Sequence, residues 1–246
     1  FAKHAFIHIV HNAFCHFRGL RRCINRFFNR CHILIFINID IHIFRSGDFL
    51  FDVIIDFCNP AAIKGLMEYC VERQIPCVVC TTGLSEAQLA RIKETSAKVA
   101  VLKSANMSMG INLLEKLLKE AAGLLAEAGY DIEIVEKHHK LKKDAPSGTA
   151  LALGDAINEG LSEKYEYVFD RSQRSIPRPQ KEIGFSAVRG GTIVGDHDVI
   201  FAGEDEVITF SHRAYSKAVF GKGAVQAAKF LCGKQPGLYD MSDVIG

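Results

Sequence analysis

A chain of 246 residues with a net charge of +2, 48% hydrophobic and 24% charged, has the make-up of one large or two modest globular domains. The charge is too small to argue for nucleic acid or a membrane surface as partner, and no apolar run reaches the length of a membrane-spanning helix. The opening residues Phe1, Ala2, Lys3 and His4 lack the sections of a signal peptide, so a cytoplasmic location is expected.

The composition breaks near residue 50. Residues 1–50 hold seven Lys/Arg and two Asp, no Glu, and six of the ten histidines. Ile stands at every odd position from Ile33 to Ile43, which is the period of a strand. The histidines have no matching Cys/His set at zinc-site spacing, so no metal is expected. The eight cysteines are scattered in a chain too large to need a disulfide scaffold. The close pair Cys77 and Cys80 falls in an apolar, strand-like run, where residues three apart point to opposite faces; both read as small buried residues.

From residue 51 strands and helices alternate. The pattern predicts a strand over 53–57, a turn at Asn59-Pro60, a helix over 61–74, a strand over 75–80, a turn at Thr81-Thr82-Gly83, a helix over 86–97 capped by Ser85, and a strand over 99–102. Such alternation implies a parallel sheet covered on both faces. A long helix over 110–128 follows. Strands are then expected at 131–137, 182–188, 192–202 and 206–212, with a hairpin turn at 203–205 and a helix over 146–161. A last helix is expected over 216–231, with 234–246 as a short extension. The fold class is therefore α/β: a Rossmann-like parallel-sheet domain plus an α+β domain with a mixed, largely antiparallel sheet. The expected division is 1–107, with 216–246 returning to it, and 108–215.

Chemistry concentrates in residues 133–149. Two histidines, His138 and His139, and the lysines Lys140, Lys142 and Lys143 follow a strand directly; Asp144-Ala145-Pro146-Ser147-Gly148-Thr149 then leads into an apolar helix. Pro146 suits a first helical turn and Ser147 or Asp144 can cap it. Free backbone N–H groups near Ser147, Gly148 and Thr149, together with the helix dipole, would form an anion site. A cationic loop beside such a site favours a carboxylate or phosphate, and histidine or lysine can also donate a proton. The neighbouring lysines are expected to bring Lys142 nearer to neutral pH. A solvated basic loop with an ordinary helix cap is the plainer alternative.

The string Glu136-Lys137-His138-His139-x-x-Lys142-x-Asp144-Ala145-Pro146-Ser147-Gly148-Thr149 resembles the signature of the dihydrodipicolinate reductase family, also called 4-hydroxy-tetrahydrodipicolinate reductase. Ile55-Asp56-Phe57 with Pro60, Thr81-Thr82-Gly83, Ser104-Ala105-Asn106-Met107-Ser108, and Arg189-Gly190-Gly191 with Val194, Gly195 and His197 fit as well. The resemblance runs from about residue 51 to 246. It implies hydride transfer from NADH or NADPH to a small cyclic dicarboxylate in lysine and diaminopimelate biosynthesis. His138 would be the acid/base residue and Lys142 the proton donor. His139, Lys142, Gly148 and Thr149 would hold a substrate carboxylate. Cys80, Thr81, Thr82, Ser104, Ala105, Asn106 and Met107 would line the nicotinamide side of the cofactor cleft. A homotetramer built through the second domain's sheet is implied too.

Residues 1–50 depart from that pattern. The family opens with a glycine-rich turn that cradles the cofactor pyrophosphate, yet only Gly19 and Gly47 occur here. Asp40 could serve as the ribose-binding acid, and Arg18, Arg22, Arg26 and Arg30 suggest one basic helix face. The departure leaves two readings: an active reductase whose first fifty residues are misrepresented, as a reading-frame or gene-model junction would produce, or a catalytically inactive dicarboxylate-binding homologue. Weak NAD(P)H binding is expected of the sequence as it stands.

Overall fold

The computed structural model describes residues 7–10, 33–36, 52–172 and 174–246. Asp40, the basic positions 18–30, Gly19 and Gly47 lie outside the described residues. By internal contacts the chain divides into two units, 1–108 with 218–246, and 109–217.

Among the described residues the first unit has six parallel strands: β1 (Ile7–Val10), β2 (Ile33–Phe36), β3 (Val53–Asp56), β4 (Cys77–Val79), β5 (Ala100–Lys103) and β11 (Gly237–Tyr239), in the order β1-β2-β3-β4-β5-β11. Every residue of β3 and β4 is buried. This is why, up to Asp56 at the end of β3, they read as apolar runs without alternation: a parallel sheet is covered on both faces. Two strands thus come from the segment set apart by its composition. The Ile run is a strand over Ile33–Phe36; its later positions are outside the described residues.

Helix α1 (Ile63–Arg73) follows a single 3-10 turn and stops at Gln74, whose φ of 53° takes the left-handed conformation common at helix ends. Helix α2 (Glu86–Ser96) is capped by Ser85, as expected, and the structure adds the reciprocal bond from the Gln88 side chain that completes a capping box. Ile63, Leu66, Met67 and Cys70 of α1 and Ile92 of α2 pack with Ile54, Val79 and Val101 of the sheet. The residues 234–246 are more than an extension: they supply β11, which pairs with the free edge of β5, and the short helix α6 (Met241–Ile245). Helix α5 (Ala218–Leu231) belongs to this unit as well.

The second unit holds α3 (Met109–Glu127), β6 (Asp131–His138), α4 (Gly148–Gly160), β7 (Glu166–Val168), β8 (Glu182–Arg189), β9 (Gly195–Ala202) and β10 (Val207–Ala214). Its strand order is β10-β9-β6-β8-β7. The β10/β9 and β9/β6 pairings are antiparallel, and the β6/β8 and β8/β7 pairings are parallel. The sheet is therefore mixed, as expected, with the longer part of its ladders antiparallel; the parallel part arises because the chain leaves β6 through α4, a crossover that returns it in parallel.

Alternation along β6 buries Ile132, Ile134, Glu136 and His138 on one face. The same face of β9 carries Gly195, His197, Val199 and Phe201. Leu114 and Leu118 of α3 and Ala150, Leu153 and Ile157 of α4 cover the apolar end of that face. At the other end the strand period is unchanged but the residues are polar, which places a buried polar cluster beside the core.

Helix α4 starts two residues later than expected. Ser147 is extended, with φ −68° and ψ 151°, and its side chain accepts from the Ala150 N–H at 3.1 Å, so Ser147 is the N-cap. Pro146, joined to Ala145 by a cis peptide bond, stands before the cap rather than in the first turn.

Candidate active site

Glu136 is the hub of the polar end of β6. It is 1% exposed, and its carboxylate accepts two bonds from the Arg189 guanidinium, at 2.8 and 2.6 Å, and one from the Ser147 backbone N–H at 3.0 Å. Its remaining contact is His138 Nδ1, 2.6 Å away. The register explains the meeting: His138 lies opposite Arg189 on β8, and Glu136 lies opposite His197 on β9. Burial alone would raise the Glu136 carboxyl, but the bonds from Arg189 and His138 outweigh it and hold the group below its ordinary value.

His197 completes the cluster. It is 4% exposed, its Nε2 lies 3.0 Å from Ser147 Oγ, and its ring stands edge-on to His138. Burial, then the neighbouring His138, push its imidazole down to about 4, so it is neutral at neutral pH.

The loop after β6 is tied to the turn after β8. Gly190 N–H donates to His138 O at 2.9 Å and Lys140 N–H to Gly191 O at 3.3 Å. Lys142 turns back to pair with Asp144 at 2.8 Å. Bonds from Lys142 and, further down, the Gly148 backbone hold the Asp144 carboxyl below its ordinary range. Arg189 also donates to the Asp144 carbonyl at 2.6 Å, so one guanidinium spans both carboxylate-bearing residues.

The anion site thus differs in two ways from the sequence expectation. The Ser147 N–H is taken by Glu136, and the nearest charge to Lys142 is a carboxylate rather than another lysine. Open space stands over Gly148, where an added Cβ would meet no atom within 4 Å beyond its chain neighbours and its own helix turn. His138, Lys142 and Gly148 come together around Glu136, Arg189 and Asp144. His139 is half-buried just past the strand and enters none of these bonds, and Thr149 is half-buried in the first turn of α4.

Sequence reasoning gave no role to Glu136, Arg189 or His197. The available signal was the period of two: counting from Ile132 and Ile134 puts Glu136 and His138 on the core face, where a carboxylate needs partners.

In the first unit, the residues expected to line a nicotinamide cleft follow the carboxyl ends of β4 and β5, the side of an open parallel sheet where ligands bind. Thr81, 2% exposed, donates through Oγ1 to the fully buried Asp56 at 2.7 Å, and Cys80 N–H donates to Asp56 O at 2.9 Å. Asn106 Oδ1 accepts from Ser108 N–H at 2.8 Å, which folds the 104–108 turn. Burial pushes the Cys80 thiol up, with Asp56 adding to it, so it stays protonated. Gly83, at φ +70°, has open space where a Cβ would stand. Two strand ends with fixed turns and room beside them fit a nicotinamide group. Among the described residues no cluster of His, Cys, Asp and Glu could hold a metal, and no helix is long and apolar enough to cross a membrane.

Comparison with known proteins gives two matches to family models: the N-terminal part of dihydrodipicolinate reductase over residues 22–107 and its C-terminal part over 110–245. The first begins within the compositionally odd segment, earlier than the motifs alone reached. A 4-hydroxy-tetrahydrodipicolinate reductase of Caldanaerobacter subterraneus subsp. tengcongensis is 58% identical over 194 residues, 79% of this chain and 76% of that one. One from Clostridium tetani is 48% identical over 207 residues, 83% of this chain and 80% of that one. Among solved structures, a dipicolinate-bound dihydrodipicolinate reductase from Paenisporosarcina sp. TG-14 has a TM-score of 0.63 at 24% identity, covering 80% of this chain and 74% of that one, and shares the fold.

Proposed function

This chain belongs to the dihydrodipicolinate reductase family, and from that membership we propose how its own residues divide the reduction of 4-hydroxy-tetrahydrodipicolinate to tetrahydrodipicolinate. It is a reductase of lysine and diaminopimelate biosynthesis. The conversion replaces a ring hydroxyl by hydrogen, so the balance is one hydride and one proton in, and one water out. The nicotinamide cofactor, NADH or NADPH, supplies the hydride. The proton and the grip on the substrate must come from the protein.

The observation that carries the reading is the pairing of each candidate donor with a carboxylate at the start of α4: His138 with Glu136 and Lys142 with Asp144. His138 is the acid/base residue and Lys142 the proton donor. Lys142, His139 and the backbone of Gly148 and Thr149 hold a ring carboxylate, for which the space over Gly148 leaves room. Cys80, Thr81, Thr82, Ser104, Ala105, Asn106 and Met107 hold the nicotinamide end of the cofactor, with Asp56 and the Asn106 turn keeping those backbones in place.

The same reading includes a cytoplasmic setting and a homotetramer. For the latter, the register puts Val135, Val188, Ile200 and Val207 on one face of the second unit's sheet, with Val188 and Val207 largely exposed. The test is oxidation of NADH and NADPH by the purified chain with 4-hydroxy-tetrahydrodipicolinate. Turnover with at least one cofactor, reduced about a hundredfold or more in Lys142→Ala, supports the reading. Dicarboxylate binding without oxidation of either cofactor would overturn it in favour of a binding-only homologue.

A further inference from the structure

We propose that Glu136, clamped by Arg189, is a positioning residue that sets the tautomer of His138, with the proton on Nδ1 and Nε2 left as the reacting nitrogen. The inference rests on the role given to His138 above and goes beyond it by naming what keeps that ring ready.

The argument begins with the inventory of donors and acceptors. An ionised carboxylate only accepts hydrogen bonds. Arg189 donates to both oxygens of Glu136, at 2.8 and 2.6 Å, and Ser147 N–H donates to Oε1 at 3.0 Å. A carboxylate gripped by a guanidinium in a buried site has no reason to carry a proton of its own. The 2.6 Å contact between Glu136 Oε2 and His138 Nδ1 then requires the hydrogen to sit on the histidine. In neutral His138 this leaves the lone pair on Nε2, and in the charged ring it leaves the transferable proton there.

The surroundings fix the ring as well as its tautomer. His197 stands edge-on to it with centroids 5.1 Å apart, and Gly195 lies beside Nε2, where a Cβ would come within 3.0 Å. Glu136 reaches further through its other oxygen. By accepting from Ser147 N–H it joins His138 to the N-cap of α4, whose next residues are the proposed carboxylate grip. Arg189 extends the tie to the Asp144 carbonyl and so to the residue that holds Lys142. One buried carboxylate therefore aligns the acid/base residue with the substrate-binding turn. A merely structural ion pair would affect stability and leave turnover through His138 unchanged.

Nitrogen-15 NMR of the unaltered protein tests this directly: in the neutral ring the protonated nitrogen of His138 should be Nδ1, and finding Nε2 protonated overturns the proposal. Kinetics supply the second arm. In Glu136→Gln the amide can donate to Nδ1 and favour the other tautomer, so kcat should fall about tenfold or more with KM for the dicarboxylate changed little. Glu136→Asp should recover part of the loss. Placed in a His138→Gln background, Glu136→Gln should add less than about twofold, because its effect passes through the ring. An undiminished kcat in Glu136→Gln beside an impaired His138→Gln sinks the positioning role alone. Normal turnover in His138→Gln would instead sink the role of His138 on which it rests.

Discussion

His197 lies edge-on to His138, ring centroids 5.1 Å apart and planes inclined at 74°, and the two imidazoles share one buried pocket with a carboxylate. Burial first, and then its neighbour, put the His197 imidazole at about 4 against an ordinary 6.5. A folded value below the unfolded one means that the unfolded chain takes up the proton first as pH falls. Stability from this site is complete above the unfolded value and is lost between about 6.5 and 4. With about 1.4 kcal/mol per pH unit in that window, lowering pH from 7 to 5 should remove on the order of 2 kcal/mol. Chemical denaturation at the two pH values checks this. The same comparison in His197→Gln should be flatter, and an equal loss in that variant would show that other groups set the slope.

Gly195 should not tolerate a side chain. An added Cβ would stand 3.0 Å from His138 Nε2 and 3.8 Å from His197 Cε1, and the ring has to give way. Gly195→Ala should lower kcat by roughly tenfold through misplacement of the acid/base residue. Steady-state kinetics together with a thermal melt separate this from unfolding: the expected result is a small change in Tm with a large one in turnover.

Pyridine-2,6-dicarboxylate should bind to the second unit at the start of α4. Lys142→Ala or His139→Ala should weaken it by about 1.5–3 kcal/mol, the worth of a charge-assisted hydrogen bond. Gly148→Ala makes a sharper probe. Beyond its chain neighbours and its own helix turn, nothing lies within 4 Å of the new methyl group, so folding should be little affected while the methyl occupies space a ligand needs. Calorimetric titration of the three variants checks the site, and unchanged affinity in all of them would move it elsewhere.

Gly223 on α5 should govern the cofactor side. A Cβ there would collide with the Met107 carbonyl oxygen, a backbone atom that cannot swing aside. Gly223→Ala should therefore displace the 104–107 turn, weaken NADH and NADPH binding, and cost about 1–3 kcal/mol of stability. Fluorescence titration with both nucleotides, beside a denaturant melt, reads the two effects. Unaltered cofactor affinity would separate Met107 from the nicotinamide site.

Much of this molecule was determined by local sequence alone. The cap of Ser85 on α2, the turn at 203–205, the apolar strands β3 and β4, and the cap of Ser147 on α4 are consequences of short-range preferences, and the structure bears them out. Tertiary structure decided what those preferences leave open. That 237–239 becomes a strand depends on the free edge of β5. Which strands of the second sheet run parallel depends on which of them neighbour β6. That Glu136 is a partner of His138 rather than a surface acid depends on Arg189, 53 residues away in the chain, arriving opposite on β8. A strand's period tells which face a residue takes, but the charge that makes a buried carboxylate tolerable comes from another strand, and only the register of the folded sheet brings the two together.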